Sequence, residues 1–198
     1  MVLAYNKGAF DRFGVPYPPE EWTWDAFRAA AQALTRDVDG DGTRDVYGFW
    51  LDRRPFVWMG SLWALGGDVL CPDGTRASGC LDSPNSVWAF RALTGLATRD
   101  SVVPRYFGLR RSLGDHLRNF YSGRLAMLPV GHFWMPQFRQ YREQGRVRVG
   151  FTQLPHREGF PPATVLYASG FAVAKNARHK RLSVELAAYM ADSLAQVT

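Results

Sequence analysis

Short apolar runs separated by helical patterns constrain this chain more than any other feature. "VLAYN" (2–6), "VYGFWL" (46–51), "RLAMLPVG" (124–131), "RVRVGFTQLP" (146–155) and "TVLYASGFAVAK" (164–175) read as strands. Between them lie segments with a 3.6-residue period. In "WDAFRAAAQALT", Phe27, Ala30, Ala31 and Leu34 share one face, and Thr23 can cap it. Ser83 and Pro84 open a helix whose stripe is Val87, Phe90, Leu93 and Leu96. Further helices are expected through "KGAFDRF", stopped by Gly14, and through "RPFVWMGSLWALGG", ending at Gly66. "SLGDHLRNFYSG", "HFWMPQFRQYREQG" and "KRLSVELAAYMADSLAQV" complete the set. Strands alternating with helices imply an α/β fold, a mixed sheet flanked by helices.

The 198 residues suit one domain, or one large domain with an appendage, and 46% are apolar, enough for a sizeable core. No apolar run reaches membrane-spanning length. The first ten residues lack the regions of a signal peptide, so a secreted parent would place this chain after its signal. The net charge of +6 is spread along the chain. Its densest run, "NARHKR" (176–181), reads as a solvated helix start, and no nucleic-acid motif accompanies it. Cys71 and Cys80 flank the turn residues Pro72, Asp73 and Gly74, with two short facing strands expected on either side. A disulfide across that turn would point to an oxidising compartment; two free thiols are the alternative, since the spacing matches no zinc or redox signature. Nucleophile-elbow, P-loop, dinucleotide and zinc-protease motifs are missing, and His116, His132, His156 and His179 lack helical metal spacing. A carboxylate pair for glycoside chemistry stays open, because its members need not be close in sequence.

Five blocks occur in a familiar order: "LAYNKGAFDRFGVPYPPEEWTWDAF", "LTRDVDGDGTRDVYGF", "LWALGGDVL" with "LDSPNSVWAFRAL", "FYSGRLAMLPVGHFW" and "ASGFAVAKNARHKRLSVELAAYM". Together they resemble the family 1 extracellular solute-binding proteins of ABC importers, which include maltodextrin- and other sugar-binding proteins. The resemblance implies a type II periplasmic-binding-protein-like fold, with two α/β lobes, a hinge, and solute held between the lobes. It assigns residues 1–165 to the second lobe, and residues 166–198 to a strand and helix that return to the first. On this reading the chain lacks the first lobe. The parent would be extracytoplasmic, in the periplasm or lipid-anchored at the cell surface, and would dock on permease subunits. No catalysis and no required cofactor are implied. The block at 127–134 departs from the family pattern at Pro129 and His132, and it carries Phe133 and Trp134 where one tryptophan is common.

Sugars present flat C–H faces to aromatic rings and need convergent polar groups for their hydroxyls. Phe56 and Trp58 stand at the start of the helix that, in this family, points at the cleft, and Trp63 reads as core. His132, Phe133 and Trp134 follow the end of a strand, where ligands gather in open α/β sheets, with one ring expected in the core and the other in the cleft. Tyr5 and Asn6 end the first strand, and Gly170 would let backbone approach a solute or form a bulge. Trp22, Trp24, Trp50 and Trp88 are read as structural.

Asp37, Asp39, Asp41, Gly42 and Asp45 fall on positions 1, 3, 5, 6 and 9 of an EF-hand-type loop. Position 12 is Gly48 and the exiting helix is replaced by "VYGFWL". The loop is either a weak structural calcium site or an acidic turn bonding its own backbone. A secreted carbohydrate-active enzyme or carbohydrate-binding module is the rival reading, and a calcium-dependent interaction module the third. Without its other lobe the chain is expected to bind solute poorly. It should also self-associate through the face carrying Ala187, Met190, Ala191 and Leu194.

Overall fold

The computed structural model describes residues 1–52, 54–104 and 113–192, which fall into two compact units, 1–165 and 166–192. In the first unit a four-stranded sheet runs in the order β2-β3-β1-β4. Its strands are β1 (Val2–Asn6), β2 (Tyr47–Phe49), β3 (Leu125–Val130) and β4 (Val149–Thr152). β1 is antiparallel to both β3 and β4, and β2 is parallel to β3.

Both faces of the sheet are covered, which is why β1 reads as a continuous apolar run and not as an alternation. Leu3, Tyr5 and Met127 enter one buried cluster, while Ala4, Leu128 and Val130 enter the other. The first cluster takes α1 (Lys7–Phe13), α2 (Trp24–Ala33), α3 (Pro55–Ala64) and α4 (Pro84–Thr98). Phe27 lies at its centre, fully buried and edge-on to Trp22 and Phe49 at 5.5 and 5.0 Å. The second takes Leu117 and Phe120 of α5 (Leu113–Tyr121) and Phe138 of α6 (Met135–Glu143).

Helix ends follow the local chemistry. Asn6, Thr23 and Ser83 each accept a hydrogen bond from the backbone N–H three residues on, at 3.2, 3.3 and 3.2 Å. Gly14 closes α1 in the left-handed region, at φ 64°. The buried side of α4 is Ser86, Ala89, Ala92, Leu93, Gly95 and Leu96, whereas Val87 and Phe90 are only half-buried. The expected stripe is thus rotated toward small residues, which let α4 sit close to its neighbours. Arg28 of α2 grips Asp100 beyond α4, Nε to Oδ2 at 2.6 Å and Nη2 to Oδ1 at 2.7 Å.

Two expected sets of strands are replaced by irregular chain. Residues 164–175 form no strand, because an extended segment becomes a strand only by pairing its backbone, and none of these residues enters a ladder. Cys71 and Cys80 are joined as a disulfide, 5.3 Å between their α-carbons. The chain around them is a series of turns, with Cys71 N–H donating to Arg76 O at 2.8 Å, and not a pair of strands.

In the second unit, residues 166–179 are mostly irregular and lead to α7 (Lys180–Ala191). None of its side chains is buried. Leu182, Leu186 and Tyr189 are 63, 58 and 69% exposed. The expected face of Ala187, Met190 and Ala191 is one flank of this broader apolar arc, and Leu194 lies outside the described residues.

Candidate functional site

Because β2 and β3 run parallel, with Phe49 beside Met127, their carboxyl ends point the same way, β3 running three residues further to Val130. From one end the chain passes through Trp50, Asp52 and Arg54 into α3; from the other it turns through Gly131 into a 3-10 turn, His132–Trp134. Ligands of open α/β sheets gather at such ends. Trp134 is buried and Phe133 is 54% exposed, their rings 5.4 Å apart. The expectation of one core ring and one outward ring therefore describes this pair, and Phe133 is the outward one. Its ring folds over Gly131, where a Cβ would stand 2.4 Å from Cε1, so only glycine permits this pose. His132 is exposed.

On the α3 side Phe56 is 42% exposed, while Trp58 is half-buried and meets Phe90 edge-on at 5.4 Å. The Phe56–Trp58 pair is thus divided, with Phe56 facing solvent and Trp58 leaning on α4. Trp63 donates from its indole N–H to Asp68 at 2.9 Å.

Residues that sequence reasoning passed over connect these two rings. His116 of α5 is buried, stacked on Trp50 at 5.2 Å and edge-on to Trp134 at 6.0 Å. Trp50, read as structural, is half-buried against His116. Asp52 accepts four bonds from Arg54: from its backbone N–H at 2.9 Å, from Nε at 2.9 and 3.1 Å, and from Nη2 at 2.5 Å. Burial pushes the Asp52 carboxyl up, but the Arg54 bonds outweigh it, and His116 adds a smaller pull, so the group sits below the ordinary carboxylate range. The guanidinium carbon of Arg54 lies 5.0 Å from the centre of the Phe56 ring. The one sequence signal was the position of Asp52 and Arg54 between a strand end and Pro55 at a helix start.

Other candidates have structural duties. Asn6 is buried; its oxygen caps α1 and its amide donates to Phe120 O at 2.7 Å. Tyr5 is buried against Phe10 and Tyr17. Both thus serve the core at this point, not an open surface. Gly170 lies in the irregular part of the second unit with open space where a Cβ would stand. Trp22 and Trp24 are core, and Trp88 is a surface ring beneath Arg157, 4.1 Å away.

The acidic loop is a nest of side-chain-to-backbone bonds. Asp37 accepts from Gly42 and Gly40 N–H at 2.8 and 2.7 Å, and these two bonds hold its carboxyl below the ordinary range. Asp39, Asp41 and Asp45 accept from Asp41, Thr43 and Val38 N–H. Asp37, Asp39 and Asp45 bring one oxygen each within 4.8 Å of one another, all exposed, and Asp41 stands outside that group. Calcium takes six to eight oxygens. The twelfth position cannot supply one: Gly48 lies in β2 against α2, where a Cβ would be 2.1 Å from Ala31 O. Three carboxylates are thus the side-chain set the loop offers a cation.

Residues 1–197 match the family model described as bacterial extracellular solute-binding protein. The chain belongs to this family. A putative binding protein of Brucella abortus is 23% identical over 158 residues, covering 78% of this chain and 35% of that protein. Among solved structures, an ABC substrate-binding protein of Listeria monocytogenes in complex with cycloalternan is 25% identical with a TM-score of 0.74, covering 97% of this chain and 46% of that one. The maltose/maltodextrin-binding domain of Bdellovibrio bacteriovorus bound to maltotriose is 22% identical with a TM-score of 0.79, covering 98% and 48%. The chain therefore spans about a third of the curated relative and about half of the solved ones.

Proposed function

We propose that this chain forms one wall of the solute site of an ABC importer's binding protein, and that the solute is a sugar or oligosaccharide. The observation that carries the reading is the pair of exposed rings, Phe56 and Phe133, on the segments that follow the carboxyl ends of two adjacent parallel strands, with the Asp52–Arg54 pair beside Phe56. Flat rings suit the C–H faces of sugars, and the polar groups suit hydroxyls. Relatives in complex with cycloalternan and maltotriose support the sugar class. In this reading residues 1–165 are the second lobe and residues 166–198 belong with the first. The length of the relatives and the uncovered α7 both fit that division. Permease subunits are the partners of the whole protein, and its place is outside the cytoplasm.

In this reading the chain binds and does not catalyse, and Asp52, bonded to Arg54 beside Phe56, supports it by being tied up in an ion pair. A lone wall should bind weakly, since immobilising the solute costs the same while half the contacts are missing. Ligand-detected NMR with maltotriose should show binding at roughly millimolar affinity, about 4 kcal/mol. Phe133→Ala and Phe56→Ala should abolish it. Binding unaltered in the double variant would overturn the reading.

A further inference from the structure

Three segments of the first unit meet around the side chain of Arg157. Its guanidinium carbon lies 4.1 Å from the centre of the Trp88 ring and 5.1 Å from that of Phe160, and Nη1 donates to Asn85 Oδ1 at 3.3 Å. Asn85 and Trp88 belong to the opening turns of α4. Arg157 and Phe160 share a turn fastened to the end of α3: Arg157 N–H donates to Ala64 O at 2.9 Å, and Phe160 N–H to Arg157 O at 3.0 Å. The Phe160 ring lies against Gly66, where a Cβ would stand 2.4 Å from Cε1.

This clamp fixes a side chain that is otherwise rich in rotamers. It supplies no counter-charge. Among the described residues no carboxylate pairs with Arg157, whereas Arg28 grips Asp100 and Arg148 grips Asp11. Arg157 is half-buried and the Trp88 ring is 37% exposed, so a partner surface can reach both. An ordered, unmatched guanidinium gains a charge-assisted bond from an incoming carboxylate without a further ordering cost on its own side. Tryptophan and arginine are also the residues that most often anchor protein interfaces. The next residue, Glu158, is exposed. A phosphate or an anionic lipid surface, each served by clusters of cations, finds here one guanidinium with an acid next to it in the chain. A single carboxylate with apolar neighbours fits better, since those neighbours can cover Trp88.

We propose that the Trp88–Arg157–Phe160 clamp is a docking point for a partner protein that presents one glutamate or aspartate among apolar side chains. It uses none of the residues assigned to the solute, so it stands or falls apart from the sugar reading.

The test titrates the whole chain by ligand-detected NMR at low salt. The probes are a blocked pentapeptide with one glutamate between leucines, its glutamine counterpart, and inorganic phosphate. The native chain should bind the glutamate peptide about tenfold better than the glutamine one, as expected for one charge-assisted bond. Phosphate should bind more weakly than the glutamate peptide. Arg157→Met keeps an apolar stem over Trp88 and removes the charge. Asn85→Asp keeps the shape of an exposed side chain and sets a counter-charge against Nη1. Both variants should erase the preference while near-ultraviolet circular dichroism shows unchanged tertiary structure. If Arg157→Met loses that structure, Asn85→Asp decides alone. Failure of the native chain to bind either peptide overturns the proposal, as does equal binding of the two. A preference that survives in a folded variant also overturns it, and so does phosphate binding more tightly than the glutamate peptide.

Discussion

α4 and α7 carry similar amounts of apolar side chain and meet opposite fates. Six residues of α4 are buried, and its close face consists of serine, alanine and glycine together with Leu93 and Leu96. No residue of α7 is buried, although Leu182, Leu186 and Tyr189 give it apolar groups at least as large as those of that face. A periodic pattern states which side of a helix wants cover. It does not supply the cover, which comes from the sheet and helices that meet it. α4 obtains this within residues 1–165, and α7 stands on its own within its unit. Each Leu-sized side chain so exposed forgoes about 2 kcal/mol of burial.

The sharpest way to break this contrast is to cut both regions alike. Phe27→Ala should destabilise the unfolding of residues 1–165 by about 4 kcal/mol, because the ring is fully buried among Trp22, Trp24 and Phe49. Leu186→Ala should change the same transition by less than about 0.5 kcal/mol. Urea unfolding followed by tryptophan fluorescence checks both, and equal losses would mean that α7 is as well packed as the core.

Asp100→Asn comes next, at about 2 kcal/mol, since it removes the charged partner of Arg28 and Arg99. Chiefly the Arg28 bonds hold the Asp100 carboxyl far below its usual range. Its contribution is therefore fully present above the unfolded value of about 4 and fades as pH falls toward the lowered native value. Native and variant stabilities should converge on acidification, in a pH series of the same measurement. A constant gap would put the stabilisation elsewhere.

The apolar arc of α7 should show itself in association and hardly in unfolding. Light scattering of the native chain should detect self-association at high concentration, relieved by Leu182→Glu with Leu186→Glu. A native chain that stays monomeric would show that α7 needs no partner. Smallest is the acidic loop: with three converging carboxylates, calcium should bind only near millimolar concentration and shift the melting temperature barely at all. Submicromolar binding by calorimetry would make the loop a true cation site.

Much of the fold was legible because it rests on local rules. Asn6, Thr23 and Ser83 as caps, Gly14 as a stop and the buried β1 each follow from a residue and its immediate neighbours. The half of the site that was legible, Phe133 beside Trp134 and Phe56 at a helix start, depends on strand ends and helix starts. Of the half that was not, Trp50 against His116 depends on where α5 comes to rest on the sheet, more than 60 residues along the chain, whereas Asp52 with Arg54 against Phe56 is local and turns on side-chain directions that the residue order does not state.

The sequence by itself determined the alternation of elements, the family, and the residues able to stack on a sugar, since each of these is carried by composition and order. Only the tertiary structure decided which rings face outward, that Gly48 and Gly131 must be bare for β2 and Phe133 to sit where they do, and that residues 164–175 form no strand. Exposure, close approach and backbone pairing are properties of two segments meeting, and one segment's sequence does not state what the other will be.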